Sequence, residues 1–306
     1  MNEEILNQDI VNEIAALKQE KDAVILAHYY VRPEVQAIAD YIGDSFYLSK
    51  VAANLDAKTI VFAGVFFMGE SAKVLNPGKT VLLPDMKADC AMAHMADVAT
   101  IQKMRETYDD LAVVCYINST AELKQHSDVC VTSSNAVKIV KALPNKNIFF
   151  IPDRNLARYV AAQVPEKNFV FNEGYCPIHE QILMNELHEV KAAHPQALVL
   201  AHPECKKELL DEADYIGSTS GIIDYATNSD AKEFIIGTEK GIFHRIQKEN
   251  PEKKFYSLTP ELVCPDMKKI TLESVRDALK NMTPAIELPE DMIKPAVTPI
   301  LRMMEL

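Results

Sequence analysis

The sequence predicts an α/β protein made of three similar α/β domains with parallel sheets. They stand in a pseudo-threefold arrangement, with the functional site at the central junction. Three observations carry that expectation. The pentapeptide "ADYIG" occurs at Ala39–Gly43 and again at Ala213–Gly217, 174 positions on, and the flanks agree: Ala27-His28 falls on Ala201-His202, and Ser45 on Thr219. At an offset of 88, "VVCYINSTAELKQHSDVCVTSS" repeats the pattern, an apolar run ending in a polar cluster, then a helical stretch, then a short apolar run ending in Ser133. Finally, the short runs rich in Val, Ile and Phe show no polar alternation, which is how a parallel strand covered on both faces reads.

The elements follow in order. The opening "MNEEILNQDIVNEIAALKQEK" is acidic and amphipathic and predicts a helix. First strands end at His28, Tyr116 and His202. Third strands read "TIVFAG" (59–64), "NIFFIPD" (147–153) and "EFIIGTE" (233–239). Fourth strands read "TVLLPD" (80–85), "NFVFNEG" (168–174) and "KFYSLTPE" (254–261). Amphipathic helical patterns such as "NAVKIVKAL" lie between them, and strand alternating with helix means α/β units on a parallel sheet. A period near 87 is too long for a solenoid and suits three small domains, at 1–95, 96–182 and 183–306. The tail "AIELPEDMIKPAVTPILRMMEL" is Pro-broken with an apolar end, a strap packed on the domains.

Composition narrows the class. The chain has 306 residues, more than one core's worth. The N-terminal stretch lacks a basic segment followed by an apolar one, so secretion is not expected and a cytoplasmic location is. No apolar run approaches membrane-spanning length. A net charge of −12 argues against a nucleic-acid surface. Six cysteines without an export signal read as thiols, metal ligands or catalytic groups, and there is no CxxC pair.

The repeat sorts those cysteines. Cys90, Cys176 and Cys264 each follow a fourth strand, and loops at the carboxyl ends of strands are where α/β sheets place their sites. Three domains about one axis would bring the three loops together. Three thiolates leave a metal centre one open position, where four would close it. Soft sulfur ligands favour zinc or an iron–sulfur cluster. Pro follows Cys176 and Cys264, a neighbour common beside cluster cysteines, which favours a [4Fe-4S] cluster with one free iron. The alternative is zinc held by the three cysteines with His179 or water; His179 reads as that fourth ligand or as a substrate contact. Cys115 and Cys130 lie in apolar runs and read as core thiols, Cys205 as a bystander.

A polar rim stands in register beside them. His28, Tyr116 and His202 match; two residues on, so do Tyr30, Asn118 and Glu204; fifteen further on, Ser45, Ser133 and Thr219. The last three sit at strand-to-helix junctions, where a hydroxyl serves as a plain cap or helps a helix N-terminus hold an anion. Tyr30 and Glu204 are the proton-transfer candidates. An open Lewis acid, anion-binding helix ends and an acid/base pair suit dehydration or condensation of small carboxylated or phosphorylated substrates.

Beyond this pattern, "MGESAKVLNPGKTVLLPD", "YINSTAELK", "SDVCVTSSNA", "FFIPDRNLARYV", "GYCPIHE", "HPEC", "DYIGSTSGI", "FIIGTEKGI" and "LVCPDMKKITL" resemble the quinolinate synthase family over nearly the whole chain. The resemblance implies three α/β domains and a [4Fe-4S] cluster held by Cys90, Cys176 and Cys264. It implies condensation of iminoaspartate (iminosuccinate) with dihydroxyacetone phosphate to quinolinate, with loss of phosphate and water, in NAD biosynthesis. It makes His28, Ser45, Tyr116, Asn118, Ser133, His202, Glu204 and Thr219 substrate contacts, puts His179 in the pocket, and gives Tyr30 and Glu204 the acid/base roles. Aspartate oxidase is the metabolic neighbour it implies. Two positions depart: the family's Trp before the second cluster cysteine is missing from "FNEGYC", and Ala157 stands where Gly is common.

Overall fold

The computed structural model of the chain describes residues 2–306, with side chains from residue 8 on. Strands β1 (Ala23–His28), β2 (Tyr41–Gly43), β3 (Thr59–Ala63) and β4 (Thr80–Leu82) make a first parallel sheet in the order β2-β1-β3-β4. A second follows from β5 (Leu111–Tyr116), β6 (Val129–Val131), β7 (Asn147–Ile151) and β8 (Asn168–Phe171), in the order β6-β5-β7-β8. A third comes from β9 (Leu198–Ala201), β10 (Tyr215–Ile216), β11 (Glu233–Gly237) and β12 (Lys254–Ser257), in the order β10-β9-β11-β12.

The repeated "ADYIG" has a local physical cause. Its Asp precedes a very short second strand and completes the pairing that strand is too short to make. Asp40 accepts the Ile25 N–H at 2.8 Å, Asp128 the Val113 N–H at 2.7 Å and Asp214 the Val199 N–H at 2.7 Å. One residue further on, Tyr41, Val129 and Tyr215 pair with Leu26, Val114 and Leu200. Each pairing recurs at the offsets read from the sequence. Lysines repeat as well. Lys79, Lys167 and Lys253 each enter a fourth strand and donate to carbonyls at the end of the helix that precedes the third strand: Leu55, then Leu143 and Asn145, just past it, and Ala226, Thr227 and Ser229, in and just past its last turn. The chain leaving a helix end carries carbonyls without an intrahelical partner, and each lysine satisfies some of them.

The fourth strands are shorter than the sequence pattern suggests. They end at Leu82, Phe171 and Ser257, and the residues beyond turn into the cysteine loops. Apolar burial is continuous across the first two sheets, while the third sheet has one apolar cluster on each face. The tail crosses back over the other units. The helix Leu272–Asn281 packs on the N-terminal helix Asn2–Glu20, and the helix Glu290–Glu305 lies on Ala121–Gln125 and β6. The strap is helical where its prolines suggested a break: Pro295 and Pro299 sit inside Glu290–Glu305. A Pro inside a helix costs about 3 kcal/mol. Burial of Ala296, Pro299, Ile300 and Met303 along one face offsets it.

In the strand order 2-1-3-4 the chain turns opposite ways after the first and third strands. That opens a crevice at their carboxyl ends. The residues that follow β1, β5 and β9, and those that follow β11, therefore face a shared space.

Candidate active site

One cavity of about 150 Å³ opens where the three units meet. All thirteen residues expected at a site line it. His28, Tyr30, Ser45 and Cys90 come from the first unit. Tyr116, Asn118, Ser133, Cys176 and His179 come from the second, and His202, Glu204, Thr219 and Cys264 from the third. Cys115, Cys130 and Cys205 are fully buried elsewhere.

The rim loops repeat a motif. The His28 Nδ1 accepts the Tyr30 N–H at 3.1 Å, and the His202 Nδ1 accepts the Glu204 N–H at 3.3 Å. Each imidazole therefore carries its proton on Nε2 while neutral. Burial pushes both rings down to about 4, so both are neutral near pH 7. They present N–H donors without adding charge: the His202 Nε2–H donates to Ser133 Oγ at 3.1 Å.

Glu204 is the electrostatic centre. It is 3% exposed, and that burial would raise its carboxyl. His202, His179 and the Tyr116 hydroxyl outweigh the burial, and the net shift is downward. The carboxylate accepts from Tyr116 Oη–H at 2.6 Å and stands 2.8 Å from His179 Nδ1. An ionised Glu204 only accepts, so His179 Nδ1–H donates to it, and in the singly protonated ring Nε2 is then an acceptor, which orients a chain. Nε2 takes the Thr238 hydroxyl at 2.9 Å, Thr238 takes the Tyr30 hydroxyl at 2.8 Å, and Tyr30 takes the Thr219 hydroxyl at 2.8 Å. Burial raises the Tyr30 and Tyr116 phenols well above their ordinary range, so both stay protonated.

The hydroxyls differ from the expected caps. The helix ends are capped by Asp44, which accepts the Tyr47 N–H at 3.0 Å, and by Ser218, which accepts the Gly221 N–H at 3.2 Å. Ser45 and Thr219 are the first helical residues, and Ser133 lies two before Asn135, where the next helix begins. In the first and third units side chains already satisfy the helix ends, which frees Ser45 and Thr219 to face the cavity; the second helix has no side-chain cap, and Ser133 pairs with His202 instead. No Lys or Arg is among its lining residues, while Asp44, Asp89 and Asp266 are. The Asn118 Oδ1 is buried in the wall with no hydrogen-bond partner among the described residues. A buried orphan acceptor in a cavity calls for a donor on a ligand.

Sequence reasoning missed two neighbours in β11's exit. Thr238 is fully buried and joins Tyr30 to His179. Its counterparts at the repeat offsets are Gly64 and Pro152, so a search for residues in register passes over it. Glu239 is 1% exposed and lines the cavity. It accepts the Cys264 N–H at 3.0 Å and pairs with Lys268 at 2.9 Å; Lys268 also donates to the Tyr30 carbonyl. Burial raises its carboxyl, and Lys268 opposes that rise. This ion pair ties the Cys264 loop to the Tyr30 loop of the first unit. Its acidic counterpart Asp153 was the available signal.

His28 sets an expected acid response. Its folded value near 4 lies below its ordinary 6.5, so the unfolded chain takes up the proton first as pH falls. The stability is present above about pH 6.5 and lost progressively down to about pH 4, about 3 kcal/mol for a shift of this size. Urea midpoints measured from pH 7 to pH 4 should fall less steeply for His28→Gln than for the parent. Parallel slopes would remove His28 as a cause.

Fold and site define an α/β protein of three like units around a buried, thiol-bearing polar cavity, the layout of an enzyme centre. The family model described as "Quinolinate synthetase A protein" matches residues 12–305. The chain is 54% identical to a quinolinate synthase of Fusobacterium nucleatum over 295 residues, 96% of this chain and 98% of that one. It is 50% identical to that of Clostridioides difficile over 301 residues, 98% and 99% of the two chains. It is 51% identical to that of Caldicellulosiruptor bescii over 306 residues, the full length of both. The chain belongs to the quinolinate synthetase A family of enzymes.

Proposed function

We propose that the chain makes quinolinate for NAD biosynthesis by condensing iminoaspartate with dihydroxyacetone phosphate, with loss of phosphate and water. The observation that carries this reading is the shared cavity, in which three free thiols face a complete acid/base hydrogen-bond chain.

The thiols fit a [4Fe-4S] cluster. Burial raises all three, Cys264 to about 11, so alone they stay protonated. A metal centre supplies the positive charge that makes them thiolates. Size supports a cluster over one ion. A single ion with sulfur bonds of ~2.3 Å holds its sulfurs about 3.8 Å apart. Among the described residues, the His/Cys/Asp/Glu group whose donor atoms all lie within 4.8 Å of one another is Cys176, His179 and Glu204, not the three thiols. A centre reaching Cys90, Cys176 and Cys264 together is larger than one ion. When bound, a cluster with one open iron supplies Lewis-acid polarisation of a substrate oxygen or nitrogen.

The chain's own groups do the rest. Glu204, ionised, removes a substrate proton as general base, and Tyr116 Oη–H steadies its other oxygen. Tyr30, held protonated, donates as general acid, and the Thr219 hydroxyl that donates to Tyr30 Oη steadies the phenolate left behind until solvent reprotonates it. The neutral His28 and His202 donors, the three hydroxyls and Asn118 bind and orient the anionic substrate without a buried Lys or Arg. The test is anaerobic purification: about four irons per chain and quinolinate formed from the two substrates support the reading. Colourless protein that forms quinolinate at no rate would overturn it.

A further inference from the structure

We propose that the cluster-free chain binds a single Zn²⁺ ion through Cys176, His179 and Glu204, and that this ion and the cluster exclude each other because both need Cys176. The exclusion rests on the cluster reading above; the zinc site itself rests on geometry alone.

The three donors are already gathered. His179 Nδ1 lies 3.1 Å from Cys176 Sγ and 2.8 Å from Glu204 Oε2, and all three donor atoms fall within 4.8 Å of one another. A tetrahedral zinc with bonds of about 2.0–2.3 Å sets neighbouring donors roughly 3.3–3.8 Å apart. Side-chain adjustments of under an ångström therefore suffice. Cys176 and His179 come from one turn of chain, with Pro177 at the start of the helix Pro177–Glu180, while Glu204 arrives from the loop after β9.

The outer partners are also in place. A ligating imidazole needs its other nitrogen held, and a ligating carboxylate its other oxygen. Thr238 Oγ1 stands 2.9 Å from His179 Nε2, and Tyr116 Oη donates to Glu204 Oε1 at 2.6 Å. His179 and Glu204 are 2% and 3% exposed, so little water competes for the ion. Charge balances locally, since one thiolate and one carboxylate neutralise Zn²⁺. The proton count closes too. The Cys176 thiol proton leaves to solvent, and the His179 proton shifts from Nδ1 to Nε2, which then donates to Thr238 Oγ1. Thiolate, imidazole and carboxylate together suit zinc over calcium or magnesium. The fourth position faces the cavity.

The experiment titrates the chelator-treated, cluster-free full-length chain with Zn²⁺ alone, and separately with Co²⁺ alone as an optical probe. One ion per chain and a sulfur-to-cobalt band of single-thiolate intensity are expected. Cys176→Ala should abolish binding, and Cys90→Ala and Cys264→Ala should leave it unchanged. Tyr116→Phe and Thr238→Val keep shape and fold yet should weaken zinc by about 10–100-fold. Zinc-loaded chain should resist cluster reconstitution until chelated, and cluster-loaded chain should take up no zinc here. Loss of zinc in Cys90→Ala or Cys264→Ala would overturn the site in favour of a three-thiol one. So would full affinity in both outer-partner variants, or zinc uptake by cluster-loaded protein. Failure of the cluster reading appears separately, as anaerobic protein without iron.

Discussion

Cys90→Ala, Cys176→Ala and Cys264→Ala should each purify without a cluster and without quinolinate-forming activity. The loss should be complete, because two remaining thiolates cannot hold a four-iron centre that already has one open position. The three thiols reach the cavity from the loops after β4, β8 and β12, one from each unit, so none can stand in for another. Cys205→Ala and Cys115→Ala are the matched controls. Both thiols are fully buried in their own units: Cys205 Sγ reaches the Gly237 carbonyl at 3.3 Å and Cys115 Sγ the Tyr116 carbonyl at 3.4 Å. These variants should keep iron and sulfide at the parent's level. Iron and sulfide per chain, with the spectrum of the reduced centre, check the pattern. An intact cluster after Cys264→Ala would sink the scheme of one ligand per unit. Thermal unfolding of cluster-free parent and variants should differ little, since each ligand thiol is only half-buried at the edge of the core.

The fold was legible because its repeat is written in residues with fixed local duties. Asp40, Asp128 and Asp214 each complete a strand pairing, so they recur at constant offsets even where the neighbouring side chains have drifted. The cysteines and the rim were legible for the same reason. What escaped was whatever a single unit does alone. Thr238 serves one hydrogen-bond chain and has Gly and Pro counterparts. The Glu239–Lys268 pair joins two units through residues far apart in sequence, and no local pattern announces it. The helix Glu290–Glu305 was hidden by its two prolines, because propensity is local and the buried face that overrides it is not. The missing Trp before Cys176 leaves Tyr175 in that loop, stacked beneath the Arg154 guanidinium at 4.6 Å, so an aromatic group still backs the loop.

Glu204→Gln and Tyr30→Phe should separate chemistry from binding. Both substitutions preserve shape, and neither residue is a cluster ligand, so iron content should stay at the parent's level. They act at opposite ends of one chain: Glu204 as the ionised acceptor, Tyr30 as the protonated donor, with His179 and Thr238 between them. Loss of a general acid or base costs about 10²–10⁴-fold in turnover. Glu204→Gln should fall at the steep end, because it also reverses the chain. A neutral amide donates where the carboxylate accepted, so its NH₂ group competes with Tyr116 Oη–H or His179 Nδ1–H. Tyr30→Phe leaves Thr238 and Thr219 without their common partner and should lose less. A double variant should lose little more than Glu204→Gln alone, since groups acting as one unit are not additive. The measurement is activity per bound iron beside a substrate titration. A purely structural role predicts depleted iron with near-parental turnover per intact centre; that result in both variants would remove them from the chemistry. Multiplicative losses in the double variant would instead break the chain into two independent groups and sink the coupling through Thr238.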